Sequence, residues 1–400
     1  MGIKNLKYLI NKYAQESVSE KYLNSYENKV IAIDLSIYLY RFIYKNGEPL
    51  ELLTKQIMRL LKNKVIPLYV FDGKPPKEKN DVLDERSEKK KELFTRQLQI
   101  KTLLERKNKP TISNEEIEPG VEIEPGVEIE PGVEIEEIKK VESYTEEFME
   151  DLMKMNVDEL KQELEKVEKR IIIINETVII NCKKLFDLMG IPYIVANGEA
   201  ESLCAKLIKK GLVYGCLSED TDILANGGRY FIRNFNVNNN KVIEYDLEKV
   251  LEKFAVTYEQ FMDICILCGC DYTGTIKNIG VEKAYKYVKQ CKNIEGVIDF
   301  INNENSKYLS KNKEARYIIP SNFNYQKARE LFLTCGEDED YDELKKLITL
   351  KNPNINELLN YIEHDVKAVV FNDIRRNLTK YHNTLEKMNA FTIDNFYKSV

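Results

Sequence analysis

Four short runs rich in β-branched residues, each tied to a stretch of helical spacing, constrain this chain more than any other feature. "KVIAIDLS" (29–36), "KVIPLYVFDG" (64–73), "IPYIVA" (191–196) and "LVYGCLSED" (212–220) have the continuous apolar character of strands covered on both faces. Between the first two, "LELLTKQIMRLLKN" repeats apolar residues at helical spacing, and "EAESLCAKLIKK" does the same before stopping at Gly211. Strands alternating with helices predict an α/β fold built on a mostly parallel sheet with helices on both faces. One segment is locally ambiguous: "RIIIINETVIINCKKLFDLMG" begins with strand propensity, but its length and its Gly190 stop predict a helix.

Three of these strands end in acid: Asp34 after "VIAI", Asp72 after "PLYVF", and Asp220 with Asp222 after "LVYGCLS". In an open parallel sheet, binding sites form beyond the carboxyl ends of the strands. If 218–222 stays extended, Asp220 and Asp222 point to one side, because side chains alternate. Glu199 and Glu201 open the helix after a further strand and so start from the same edge, with the helix dipole partly offsetting their charge. Acids also cap helices and solvate loops, and 66 of the 400 residues are acidic. The convergence on one edge is what favours a site.

So many carboxylates in one cleft would repel one another unless something neutralised them. The chain has two histidines, His364 and His382, which argues against a histidine base. Cys265, Cys268 and Cys270 have no second cysteine pair with which to complete a zinc site, and they read as buried thiols on a helix. The remaining ligand field is all oxygen, which suits hard Mg²⁺ or Mn²⁺. Paired hard cations in an acidic cleft suit phosphodiester hydrolysis. A basic counterpart follows the second strand, where Lys79 and Arg86 lie seven residues apart, about two helical turns. A solvated mixed-charge helix would show the same spacing.

The net charge of −6 argues against a nucleic-acid partner only superficially. Residues 115–137 contain ten Glu and neither Lys nor Arg, and without them the remainder carries +4. That segment includes "EPGVEI" three times in tandem (118–135), whose Pro and Gly every six residues exclude a helix; it reads as an extended low-complexity insertion. No stretch approaches the ~20 apolar residues needed to span a bilayer, and the start lacks a signal-peptide pattern. The expectation is therefore a soluble intracellular protein with reduced cysteines.

Taken in order, "MGIKNLKYLI", "IAIDLSIYLYRF", "YVFDGKPP", "LMGIPYIVANGEAES", "LSEDTDIL" and "CGCDYTGTIKNIGVEKA" resemble the motifs of the flap endonuclease/XPG family of structure-specific 5′ nucleases. The resemblance covers about 1–98 and 165–300, with a weaker echo to about 378. It implies a PIN-like nuclease core with a helical arch insertion and a helix–two-turn–helix DNA-binding region. The corresponding divisions are 1–98 and 171–258 for the nuclease regions and 99–170 for an enlarged arch. The helix–two-turn–helix takes 259–300, and a C-terminal helical region and tail take 301–400.

Carried over by resemblance, a two-metal site falls on Asp34, Asp72, Glu199, Glu201, Asp220, Asp222 and Asp271, the last of which the strand pattern does not reveal. Lys79 and Arg86 take the family's phosphate-gripping positions, and Tyr40 takes that of a base-stacking tyrosine. "DYTGTIKNIGVEKA" resembles the backbone-holding turn and helix, including Gly280 and Lys283, with Thr275, Ile276 and Ile279 supplying oxygens to a K⁺ ion. Asn278 stands where the family has Gly, and Glu282 where a basic residue is usual. Asp34 and Asp72 are only 38 residues apart, shorter than in typical flap endonucleases, which puts strict preference for double flaps in doubt. The tail "NAFTIDNFYKSV" resembles a sliding-clamp-binding peptide, with Ile393, Phe396 and Tyr397 at the plug positions and Ala390 where Gln is expected.

The implied function is a Mg²⁺-dependent nuclease acting on DNA with a 5′ flap or single-strand/duplex junction in replication or repair. It would act as a monomer without a membrane, in the nucleus of a eukaryotic cell, otherwise in the cytoplasm or at a site of viral replication. The rivals are a 5′–3′ exonuclease or junction-cutting relative, and a non-catalytic module that binds DNA structure.

Overall fold

The computed structural model describes residues 2–45, 48–108, 151–171, 174–334 and 340–366. It divides into two compact units: the described parts of 1–43, 47–80 and 174 onwards, and those of 44–46 and 81–173. The EPGVEI repeats and Ile393, Phe396 and Tyr397 lie outside the described residues.

The first unit is built on a seven-stranded sheet. Its strands are β1 (Val18–Tyr22), β2 (Val30–Asp34), β3 (Ile66–Phe71), β4 (Tyr193–Val195), β5 (Gly215–Leu217), β6 (Tyr230–Arg233) and β7 (Lys241–Asp246). They lie in the order β1-β7-β6-β5-β2-β3-β4. The five strands from β6 to β4 run parallel, while β7 pairs antiparallel with both β6 and β1. The four strands read from the sequence are four of these five parallel strands; β6 completes the parallel set, and β7 and β1 extend the sheet.

Alternation along β2 and β3 explains their unbroken apolar character. Val30, Ala32, Leu68 and Val70 pack into one hydrophobic cluster, and Ile31, Ile33, Tyr69 and Phe71 into another. Each face is therefore covered, as a parallel sheet requires. Phe186, stacked on Tyr69 at 4.5 Å, belongs to the helix Glu176–Met189, which the sequence predicted over 170–190. The helix starts later than its β-branched prefix, where the Asn175 side chain accepts from the Val178 N–H. It ends at Gly190, whose φ of +67° suits the left-handed cap. A side chain there would also meet the Lys351 carbonyl, 2.0 Å from an added Cβ.

The chain passes from β2 to β3 on one side and later returns to place β5 on the other side of β2. The helix Leu35–Tyr44 starts from this reversal, and the helix Ala200–Lys209, which follows β4, packs against β2, β3 and β5. Ligands bind at such a switch point, beyond the carboxyl ends of the strands.

The second unit contains the 29-residue helix Asn80–Asn108, helical residues 151–154 and the helix Val157–Glu168. Ile100, Leu104, Leu152, Leu160 and Val167 form its small core. Arg96 pairs with Glu163, and Gln97 donates to Glu168 over 2.9 Å. Asn156 and Glu159 close a reciprocal capping box at the start of the second helix.

Candidate active site: carboxylates at the switch point

The first unit gathers all seven sequence-predicted carboxylates. Asp34 is the last residue of β2 and is buried; the Ser218 hydroxyl donates to its Oδ2 over 2.8 Å. Asp72 follows β3 at the exposed rim, where its Oδ1 accepts the Ala200 N–H at 2.9 Å. The Gly73 N–H, donating to the Gly198 carbonyl at 2.7 Å, holds that rim to the start of the helix Ala200–Lys209. Glu199 caps this helix and Glu201 lies in its first turn, so the N-terminal dipole faces both charges.

Asp220 and Asp222 are both buried, but not by the route expected. β5 ends at Leu217, and Thr221 has helical dihedrals (φ −76°, ψ −6°) before a one-turn helix begins at Asp222. The extended alternation assumed for 218–222 is therefore incorrect. A tight turn holds the pair instead, with the Asp222 N–H donating to Asp220 Oδ1 at 3.1 Å and the Asp220 N–H to Ser218 Oγ at 3.0 Å. Gly2 lies against this turn with φ +82°, and a Cβ there would stand 2.0 Å from Asp220 Oδ1.

Asp271 follows the helix Tyr258–Cys268 and completes the set. The Lys79 ammonium lies 3.5 Å from it and also pairs with Glu199, whose other oxygen accepts the Tyr272 hydroxyl at 2.5 Å. Lys79 ends a short 3₁₀ turn, and the helix starts one residue later at Asn80. Arg86 belongs to the second unit.

The electrostatics follow from burial and mutual repulsion. Asp34 is pushed up to about 7, first by desolvation and then by Asp72. Desolvation, followed by the neighbouring carboxylates, raises Glu201 and Asp222 well above the ordinary range. Asp220 also rises, mainly through burial. Burial alone would lower the Lys79 ammonium, but Glu199, then Glu201 and Asp271, hold it above its usual value. The cluster is thus short of positive charge.

A hard cation fits this deficit. The donors are carboxylate oxygens, and Asp222 Oδ1 is buried without a hydrogen-bond partner. Among the described residues no three Asp, Glu, His or Cys side chains already surround a common point as a closed metal site. The fit therefore lies in donor type and charge. Cys265, Cys268 and Cys270 are buried as expected, but Cys270 lies beyond the end of the helix Tyr258–Cys268; desolvation pushes Cys270 up to about 12.

The remaining sequence-predicted positions lie on the helix Leu35–Tyr44 and in the turn and helix that follow Asp271. Tyr40 is 43% exposed on the helix Leu35–Tyr44, whereas Tyr38 beside it is fully buried, so Tyr40 is not a core aromatic. In the turn between the helices Tyr258–Cys268 and Val281–Cys291, Thr275 is exposed while the Ile276 and Ile279 side chains anchor the turn in the core. Gly280 caps the second helix, and the Lys283 ammonium donates to the Asn278 carbonyl at 2.7 Å. Asn278 has φ +67°, a conformation that Asn tolerates better than other side-chain-bearing residues. Its amide donates to the Arg316 carbonyl at 2.6 Å, a contact Gly could not make.

Sequence reasoning missed two neighbours of the cluster, Ser218 and Tyr272. Each lies within a motif that was quoted, but a hydrogen bond to a distant carboxylate leaves no periodic signal.

Two family models match the chain: the XPG N-terminal domain over residues 1–93 and the XPG I-region over residues 190–271. Flap endonuclease 1 of Entamoeba dispar is 32% identical over 417 aligned positions, covering 99% of this chain and 92% of the relative. Among solved structures, the catalytic core of Rad2 in complex with DNA substrate superposes with a TM-score of 0.64 at 18% identity, covering 95% of this chain and all of that one. The Holliday junction-resolving enzyme GEN1, solved with product DNA, Mg²⁺ and Mn²⁺, gives 0.52 at 17% identity, covering 90% of this chain and 72% of that one. Another GEN-1 structure, described with potassium, gives 0.53 at 16% identity with the same coverage. The structural likenesses establish the shared fold; with the sequence identity to a full-length relative, they place this chain in the flap endonuclease/XPG family of structure-specific 5′ nucleases.

Proposed function

We propose that this chain hydrolyses DNA phosphodiester bonds near single-strand/duplex junctions, entering from a 5′ end, in replication or repair. The observation that carries the reading is the gathering of seven carboxylates with Lys79 at the carboxyl edge of the parallel strands. Asp34, Asp72, Glu199, Glu201, Asp220, Asp222 and Asp271 would hold two Mg²⁺ ions, or Mn²⁺ in their place. When bound, such cations activate a water and stabilise the leaving oxygen. Lys79 is kept charged by Glu199 and Asp271, and its ammonium would stabilise a phosphate electrostatically as negative charge develops. The resemblance gives Arg86 the same task.

Tyr40 offers an exposed ring on which an unpaired base can stack. The turn 271–280 grips duplex backbone through its amides without reading sequence, and Thr275, Ile276 and Ile279 would supply oxygens to a K⁺ ion that links protein and phosphate. The short Asp34–Asp72 separation supports a site that does not demand a 3′ flap. The C-terminal peptide around Ile393, Phe396 and Tyr397 is assigned to a sliding clamp.

The test is digestion of 5′-labelled single-flap, double-flap, flush-ended and four-way-junction DNA in Mg²⁺. Release of a flap-length product, comparable for single and double flaps, is expected. Stepwise mononucleotide release would replace this reading with an exonuclease, dominant junction cutting with a resolvase, and binding without cleavage with a structural module.

A further inference from the structure

The helices Leu6–Tyr13 and Val281–Cys291 meet at a surface where tyrosines and lysines interleave. The rings of Tyr13 and Tyr285 lie 5.0 Å apart, and the Tyr285 hydroxyl donates to the Phe254 carbonyl at 3.2 Å. Lys283, Lys286 and Lys289 recur every third residue, with Lys286 and Lys289 exposed. Together with Tyr13, Glu282 and Tyr285 they line one open groove.

Glu282 is the one acid lining that groove, and it stands where the family resemblance leads one to expect a base. Alone at the start of a helix it would repel a phosphate. It is not alone. Lys12 Nζ, from the first helix, lies 2.5 Å from Glu282 Oε1, and the Tyr13 hydroxyl donates to Oε2 at 2.6 Å. The same ammonium donates to the Tyr8 hydroxyl at 3.3 Å and sits 5.2 Å from the Tyr13 ring centre. The side chain is nevertheless 45% exposed, so its charge still faces solvent. Glu282 titrates below the ordinary carboxylate range, chiefly because of Lys12.

We infer that Lys12 is a nucleic-acid backbone contact, and that the Lys12–Glu282 pair sets how tightly duplex phosphate is held at this surface. The first helix supplies the positive charge that Glu282 removes from the second. The ligand is the phosphate backbone of a duplex: the patch carries four lysines against one carboxylate, and no arrangement of base-reading side chains accompanies them. This inference rests on the DNA-nuclease reading above.

The experiment is fluorescence-anisotropy titration of a blunt duplex, without flaps or Mg²⁺, across a salt series. Wild-type protein binds, with log affinity falling linearly as log salt rises. A wild type that does not bind would overturn the nuclease reading and this inference with it, whereas binding that is insensitive to the variants below would overturn this inference alone. Lys12→Ala weakens binding about three- to tenfold at low salt and reduces the salt slope by about one. Glu282→Gln tightens binding, Lys12→Arg retains it, and the Lys12→Ala/Glu282→Gln double variant lies between the single variants. Wild-type affinity and slope in both Lys12→Ala and Glu282→Gln would overturn the inference. The four variants change only Lys12 and Glu282, whose side chains are 45% and 40% exposed, and unchanged thermal melts verify folding.

Discussion

The carboxylate cluster and the lysine-lined surface where the helices Leu6–Tyr13 and Val281–Cys291 meet lie in the same unit and solve opposite electrostatic problems. The cluster buries like charges, and several of its members are driven towards protonation. The surface keeps its charges exposed and answers its one unfavourable acid with a lysine from another element. Chemistry on a phosphodiester needs charges at fixed positions, and burial with hydrogen bonds fixes them. Gripping a backbone needs only net charge and amides, which many arrangements of side chains can supply. By the resemblance drawn from the sequence, Asn278 and Glu282 stand where the family pattern has other residues, and the seven cluster positions all carry carboxylates.

If that contrast is right, single changes in the cluster cost far more than changes on the surface. Lys79→Ala leaves Glu199 and Asp271 without their ammonium, and single-turnover cleavage should fall on the order of 10²-fold or more while duplex affinity changes little. A fall in affinity with unchanged cleavage at saturation would move Lys79 to the binding side of the comparison.

Tyr272→Phe tests positioning. It removes the hydroxyl that holds Glu199 but keeps the ring packed against Phe332, 5.1 Å away. About a tenfold loss in cleavage rate is expected, from a hydrogen bond to a charged group, with the affinity for DNA preserved. Wild-type rates would make that hydrogen bond incidental.

The pH dependence separates the regions by sign. A carboxyl whose folded-state pKa is raised binds its proton more tightly when folded. Its stabilising contribution is complete below its ordinary value and is lost as pH rises through the folded value. For Asp34 that window runs from 3.8 to about 7. In EDTA the melting temperature should therefore drop by a few degrees between about pH 5 and pH 7.5, and Mg²⁺ should restore it at the upper pH and do little at the lower. A metal-free protein equally stable at both would show that the repulsion is relieved some other way.

The smallest effect belongs to the turn. Asn278→Gly should be close to neutral, whereas Asn278→Ala at φ +67° should cost about 1–2 kcal/mol in chemical denaturation. Equal stabilities would mean that the turn relaxes.

The same contrast governs what could be read from the sequence. Asp34 and Asp72 were legible because buried parallel strands are marked by unbroken β-branched runs, and the acids end them. The helices Pro49–Lys62 and Ala200–Lys209 were legible from spacing, the second also from its Gly211 stop. β1 was not: "VSEKY" is an edge strand, mostly exposed, and only its pairing with β7 makes it a strand. Asp271 lies in a turn where no period points to it, and only the motif resemblance found it. Asp220 and Asp222 were identified for a mistaken reason, because a helical turn at Thr221 does what alternation along a strand was expected to do. Tertiary hydrogen bonds such as Ser218 to Asp34 are set by packing between elements far apart in the chain.

The measurement that tests the central claim most directly is single-turnover cleavage of a 5′-labelled flap in Mg²⁺ by wild type and Asp220→Ala, at DNA occupancy matched by anisotropy. The account predicts that wild type releases the flap, and that the variant binds the same DNA but cuts it on the order of 10³-fold more slowly. Cleavage by Asp220→Ala within a few-fold of wild type would contradict it and return the carboxylate cluster to a structural role.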